Sequence, residues 1–147
     1  MEKLLNDQVV EQIKQAFAQI KEPVQILFFG SKANCDYCGE ARQLMEEVVA
    51  INEHLGLTVY DLQENADVAA QFNVDKAPAI VIAAKNGTEV VDLGIQFSGI
   101  PAGHEFGTFI HDILLVSGRD SGLGAQTRAF LQGLEKPLHL QVFVTPT

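Results

Sequence analysis

The sequence contains no tryptophan and only two cysteines, Cys35 and Cys38, among its 147 residues. A scaffold held by several disulfides is therefore excluded, because two cysteines can form only one intrachain bridge. Basic residues are also scarce, with ten lysines and arginines against nineteen aspartates and glutamates and a formal net charge of −9. No basic stripe is present to neutralise phosphate groups, which argues against a nucleic acid or an anionic membrane as partner.

Long apolar runs are missing as well. Residues 1–8 lack the uninterrupted apolar core of a secretory signal, and no run approaches the length needed to span a bilayer. We therefore expect a cytoplasmic location, where a close cysteine pair is more often catalytic or metal-binding than structural. With 47% hydrophobic residues, the chain is long enough for one compact domain with an appendage and too short for two full-sized domains.

The spacing of apolar residues predicts alternating helices and strands over the first 117 residues. In chain order these are a helix at 9–20, a strand at 24–29, a helix from the cysteines to about His54, a strand at 57–62, a short helix at 68–72, strands at 79–84 and 89–94, and a helix at 106–114. Gly56 suits a left-handed cap on the second helix, and Asn86-Gly87 predicts a hairpin between the last two strands. We therefore expect an α/β fold with a small mixed sheet flanked by helices.

The two cysteines form a Cys-x-x-Cys motif between the strand predicted at 24–29 and the amphipathic helix that follows it. Unpaired amide hydrogens and the positive end of the helix dipole favour a thiolate at such a position. A thiolate is the attacking species in disulfide exchange, so Cys35 and Cys38 are candidate redox residues.

Two less favoured interpretations of the cysteine pair stay open. The cysteines could supply half of a tetrahedral zinc site, although the histidines show no paired ligand spacing; they are His54, His104, His111 and His139. The cysteines could instead be buried and inert, although Asp36 and Tyr37 between them favour a partly exposed turn. We predict no metal.

An internal repeat marks the C-terminal part of the chain. The spacing of apolar residues and proline around Pro23 recurs around Pro137, followed by an apolar, strand-like run at 138–144. We expect one domain at 1–117, a glycine-rich linker at 118–124, and at 125–147 the first helix and strand of a second unit that is truncated before its own Cys-x-x-Cys motif.

The order of elements, the position of the Cys-x-x-Cys motif and the Ala77-Pro78 pair that opens a buried strand resemble the thioredoxin and glutaredoxin superfamily. The run at 99–106 and the truncated repeat resemble, more narrowly, the glutaredoxin-like protein disulfide oxidoreductases, which contain two thioredoxin folds. A related tandem module stands at the amino end of bacterial alkyl hydroperoxide reductase flavoproteins and keeps redox chemistry only in its second half. The chain thus looks like the first half of a tandem protein.

The resemblance implies a thioredoxin-like fold and thiol–disulfide exchange with protein substrates. It implies that Cys35 attacks and Cys38 resolves, and that Ala77 and a cis Pro78 face the cysteines and align the substrate, while Tyr37 adds an apolar contact. No cofactor is expected. The resemblance suggests that a flavoprotein of the thioredoxin reductase type regenerates the redox state of the cysteine pair. The alternative is a non-catalytic interaction module that supports an active second half.

Two departures from the family pattern bear on the chemistry. Glutaredoxins carry a glycine pair and an aspartate for glutathione, and Ser98-Gly99-Ile100-Pro101 does not match them. Thioredoxins bury an acid in the strand before the cysteines, and no acid stands there in this chain. Asp61, at the end of the next strand, is either a substitute proton acceptor or, by preference, a solvated strand-end carboxylate.

Asp36 places a negative charge beside the attacking sulfur, opposes the helix dipole and disfavours the thiolate. We therefore expect Asp36→Asn to stabilise the reduced form and to raise the reduction potential of the couple. A redox titration should show an increase of at least about 10 mV, or about 0.5 kcal/mol for two electrons. A smaller shift would remove Asp36 as a redox-tuning residue.

Overall fold

The computed structural model describes residues 2–145. Within this range there are five helices, α1 (Asp7–Phe17), α2 (Cys38–Val49), α3 (Ala66–Gln71), α4 (His104–Ser117) and α5 (Ala125–Gln132). The same residues form five strands, β1 (Val24–Gly30), β2 (Leu55–Asp61), β3 (Ala79–Asn86), β4 (Glu89–Val91) and β5 (Gln96–Ser98). None of these helices is long and apolar enough to cross a membrane.

The strands form one mixed sheet in the order β2-β1-β3-β4, with β5 also paired to β3. Strand β1 runs parallel to β2 and antiparallel to β3, and Phe29 lies opposite Ala79. The end of β1 and the start of β3 therefore meet at the same end of the sheet. The α/β fold with a small mixed sheet, expected from the sequence, is confirmed.

Strands β1 and β3 are buried on both faces, because alternate side chains point to opposite sides of the sheet. On one face, Ile26 and Ile82 pack in the main core with apolar side chains of α1, α2 and α4. On the other face, Phe29 and Val81 pack against Phe72 and its neighbours around α3. These two layers explain why both strands read as continuous apolar runs.

Several sequence expectations differ from the structure. Helix α2 ends at Val49, well before His54, and Gly56 lies within β2 rather than at a helix cap. A side chain at position 56 would collide with the buried amide of Gln25 on the neighbouring strand, so the glycine serves a close approach between strands. Strand β5 was missed because a turn, with Gly94 N–H donating to Asp92 Oδ1 at 2.8 Å, divides this sheet edge into two short strands.

The C-terminal part contains the expected helix, α5, but the expected strand at 138–144 is not formed. Within the described residues this segment has no strand beside it, and an isolated strand leaves its backbone groups unpaired. Its apolar side chains are exposed, with Phe143 88% and Val142 84% accessible.

The loop between β1 and α2 is fastened to the end of β2 by the carboxylate of Asp61. Oδ2 accepts from the Lys32 N–H at 3.0 Å, and Oδ1 accepts from the N–H groups of Gln63 at 2.9 Å and Glu64 at 3.0 Å. The Glu64 N–H lowers the pKa of Asp61 most; burial opposes this, and the Gln63 and Lys32 N–H groups add to the lowering. The carboxylate is therefore ionised near neutral pH and serves as an anchor.

We expect Phe109→Ala to lower the free energy of unfolding by about 3–5 kcal/mol, because this ring is fully buried and packs edge-on against Phe97. The matched change Phe130→Ala should alter it by less than about 0.5 kcal/mol, since Phe130 is 64% exposed on α5. Urea denaturation of both variants of the 147-residue chain measures the difference. Equal losses would contradict the exposed position of Phe130 on α5.

Asp61→Asn should destabilise the fold at neutral pH, because an amide cannot accept three N–H groups as a carboxylate does. A carboxyl group whose pKa is lowered by folding contributes stability above its unfolded pKa, and this contribution is lost as the pH falls through the folded value. The stability gap between wild type and variant should therefore narrow as the pH is lowered below about 3.9. Asp75→Asn is the control, since Asp75 is exposed and pairs with its neighbour Lys76. A stability gap for Asp61→Asn that does not change with pH would refute the role of Asp61 as an anchor.

Candidate active site

The two cysteines lie at the start of α2 and are joined by a disulfide. Cys35 is in the turn before the helix, and Cys38 is its first residue. Their Cα atoms are 5.5 Å apart and both side chains are half-buried. The pair is therefore partly accessible, and the full burial expected of core cysteines is not found.

The two sulfurs have different surroundings. Cys38 packs against the main core, and its Sγ lies near Gly30 at the end of β1, where an added Cβ would make an ordinary contact of 3.7 Å. Cys35 is not part of that core. Cys38 is therefore the more enclosed of the two half-buried cysteines.

The first turn of α2 leaves backbone donors unused. The N–H groups of Cys38, Gly39 and Glu40 find no acceptor within residues 2–145, and the N-cap residue, Tyr37, makes no side-chain cap. Unpaired donors at a helix start stabilise an anion that lies close to them.

The peptide bond between Ala77 and Pro78 is cis, at the start of β3. The register that places Phe29 opposite Ala79 brings Pro78 beside Gly30, at the end of the strand that leads to the cysteines. On its other side, the Pro78 carbonyl accepts the Gly99 N–H at 2.9 Å. The half-buried Ala77 keeps its own N–H and carbonyl without a partner among the described residues.

Asp36 and Tyr37 project into solvent between the cysteines, and Tyr37 is 62% exposed. Tyr37 also lines an apolar groove with residues that the sequence did not single out, such as Leu4, Ile100 and Phe106. The apolar residues near the N-terminus gave only a weak indication of this groove, because nothing in the sequence shows that they fold back onto α2.

A crevice of about 390 Å³ is lined by Cys38 together with charged side chains, among them Lys32 and Arg42. Its charged side chains are paired: Lys32 binds Glu64, whose hydrogen bond and charge raise the pKa of Lys32, and Arg42 Nε donates to Glu46 at 2.8 Å. Asp61 lines the crevice as the anchor described above, which favours the solvated-carboxylate interpretation over a proton acceptor. Residues 2–145 contain no cluster of three or more histidine, cysteine, aspartate or glutamate side chains that could hold a metal ion.

No protein-family model matches the chain. Curated relatives are the AhpF component of the alkyl hydroperoxide reductase of Staphylococcus epidermidis, 29% identical over 144 residues, and the same component from Staphylococcus aureus, 27% identical. Each match covers 98% of this chain and 25% of the relative, so the chain spans about a quarter of the length of the curated relatives it matches.

Among solved structures, a protein disulfide oxidoreductase from Aeropyrum pernix matches with a TM-score of 0.76 and 25% identity, over 90% of this chain and 57% of the other. The NTD_N/C domain of the alkyl hydroperoxide reductase AhpF from Enterococcus faecalis matches with a TM-score of 0.77 and 22% identity, over 90% and 62%, and supports the fold. The chain therefore has a thioredoxin-like fold with a Cys-x-x-Cys pair and is homologous to alkyl hydroperoxide reductase AhpF and to protein disulfide oxidoreductase.

Proposed function

We propose that the chain is a thiol–disulfide oxidoreductase that exchanges two electrons between the Cys35–Cys38 pair and protein substrates. In the reducing direction, the Cys35 thiolate attacks one sulfur of a substrate disulfide, and the other substrate sulfur leaves as a thiolate that takes up a proton. The Cys38 thiolate then attacks Cys35, which releases the second substrate thiol and leaves the Cys35–Cys38 disulfide. The substrate gains two electrons and the cysteine pair loses two.

The observation that carries this proposal is the position of the disulfide, half-buried beside the unused N–H groups of α2. Those donors stabilise the reduced state of Cys35 as a thiolate. The tighter packing of Cys38 suits a sulfur that reacts only with its intramolecular partner.

The free peptide groups of Ala77 give the substrate a place to bind. An extended segment that approaches Cys35 can pair with the Ala77 N–H and carbonyl as an added strand, while Pro78 limits how close it comes. Tyr37 then contacts the substrate beside the sulfur, and Asp36 tunes the thiolate through its charge.

To be regenerated, the cysteine pair must react with a dithiol partner when it is oxidised or with a disulfide partner when it is reduced. We propose a flavoprotein reductase of the thioredoxin reductase type, in the cytoplasm, as the electron donor. Support comes from the match to about a quarter of a protein named as a component of alkyl hydroperoxide reductase.

We further propose that residues 1–117 are one thioredoxin-like unit and that 118–124 are a linker. Residues 125–147 would then begin a second unit. The exposed apolar side chains after Gly124 support this division, since such a surface ordinarily packs against further structure.

Cys38→Ser should trap substrates, because the mixed disulfide on Cys35 can no longer be resolved from within the protein. After incubation of the reduced variant with a protein extract, non-reducing gels should show covalent adducts that dithiothreitol releases. Cys35→Ser should form far fewer adducts, by at least about tenfold, and the double variant none. If non-covalent partners bind equally well to the double variant and no adducts form, the chain is instead a docking module.

A further inference from the structure

An apolar groove of about 450 Å³ lies directly beside the cysteine turn. Its apolar wall is formed mainly by Leu4, Leu5, Tyr37, Leu44, Ile100 and Phe106. Tyr37 stands between the two cysteines in the chain, so the groove adjoins the cysteine turn. Leu5 and Leu44 are almost completely buried, whereas Leu4 remains 47% exposed at the rim.

One wall of this groove is an N-terminal segment that has no regular secondary structure of its own. Glu47 on α2 holds its backbone: Oε1 accepts from the Leu4 N–H at 2.9 Å, and Oε2 accepts from the Leu5 N–H at 2.9 Å. Gln43, one turn earlier, donates to the Glu2 carbonyl at 2.7 Å and to Glu47 Oε1 at 2.8 Å. The segment is thus fastened to the same helix that begins with Cys38.

Glu47 is suited to this task as an anion. Burial raises the pKa of this carboxyl, but the N–H groups of Leu4 and Leu5, together with Gln43, outweigh burial and hold it below the ordinary value. The carboxylate is therefore charged at neutral pH, and charge-assisted hydrogen bonds to backbone N–H groups are the stronger kind.

The rim of the groove carries unpaired negative charge. Glu40 lines the groove and Asp36 adjoins it, and neither carboxylate has a hydrogen bond or ion pair within residues 2–145. The formal net charge of the whole chain is −9. A positive group on a partner is the complement to this rim, and an apolar side chain is the complement to the floor.

We propose that the groove binds a large apolar side chain of the protein substrate, next to a lysine or arginine and close to the reacting cysteine, and that Glu47 is the positioning residue that forms the groove's N-terminal wall. This inference rests on the proposed thiol–disulfide exchange, since it names the substrate class of the same site. A bound apolar side chain leaves water on entering the groove, and the nearby cation pairs with Glu40.

Disulfide-linked peptides test the specificity. In the first peptide, Leu and Lys flank the cysteine. The second peptide has Ala in place of Leu, and the third has Glu in place of Lys. Each peptide is made in two versions, with the two flanking residues exchanged. Bis(2-hydroxyethyl) disulfide serves as a small substrate that cannot fill the groove. Second-order rate constants are measured with the reduced 147-residue chain.

The Leu-Lys peptide should react at least about tenfold faster than the Ala-Lys peptide, the factor expected for burying one large apolar side chain. Glu47→Gln should reduce this ratio to below about threefold while the rate with the small disulfide stays within about twofold. Glu46→Gln is the matched control, because Glu46 pairs with Arg42 on the exposed side of the same helix. Glu40→Gln should remove the preference for Lys over Glu.

A second pair of variants guards against a folding defect in Glu47→Gln. Leu4→Ala removes an exposed wall residue and should lower the Leu to Ala ratio, whereas Leu123→Ala, at a similarly exposed leucine in the linker, should not. A wild-type ratio near one, or a ratio unchanged in both Glu47→Gln and Leu4→Ala, would overturn the inference.

The experiments distinguish a failure of the groove proposal from a failure of the proposed thiol–disulfide exchange. If wild type does not react even with the small disulfide, the proposed oxidoreductase function fails. The groove is then judged by binding of the same peptides, with Ser in place of Cys, to the oxidised chain. Methyl NMR shifts of Leu4 and Leu5 with the Leu-Lys peptide, and not with the Ala-Lys peptide, would support the groove, and their absence would overturn it.

Discussion

The antiparallel pairing of β1 with β3 is the constraint on which the candidate site depends. It places Phe29 opposite Ala79, so the strand that leads to the cysteines ends where the strand after Pro78 begins. Two motifs about forty residues apart in the chain are thereby brought to one end of the sheet. Because both strands are buried on both faces, a one-residue slip would exchange the side chains of the two core layers. The site geometry is therefore as strongly specified as the core itself.

Two segments without regular secondary structure are held by carboxylates rather than by packing alone. Asp61 accepts three backbone N–H groups and fixes the segment between β1 and the cysteine turn. Glu47 accepts two and fixes the N-terminal segment against α2. In both cases an ionised group supplies acceptors for donors that no helix or strand satisfies. The surroundings of the disulfide are thus arranged before any partner arrives, which lowers the ordering cost of binding.

The C-terminal part follows a different physical pattern. Helix α5 and residues 138–144 carry apolar side chains, yet these remain exposed, with Leu140 at 80%. The chain corresponds to only a quarter of its curated relatives and to 57% of the Aeropyrum pernix protein. The sequence at 138–144 has the pattern of a β-strand, which needs a neighbouring strand and a packed layer of side chains. Residues 2–145 supply neither.

Local sequence was sufficient to predict the cysteine motif at the start of a helix, the buried strands β1 and β3, and Pro78 at a strand start. Each of these depends on periodicity or on the chemistry of neighbouring residues. The end of α2, the role of Gly56 and the division of the sheet edge into β4 and β5 were not predictable, because contacts between strands decide them. The groove beside Tyr37 was also not predictable, since it depends on Leu4 meeting Glu47 across 43 positions of sequence. The sequence by itself thus determined the cysteine motif and the α/β class, through local pattern. Tertiary structure alone decided what surrounds that motif, because long-range hydrogen bonds and packing join segments that local sequence patterns do not connect.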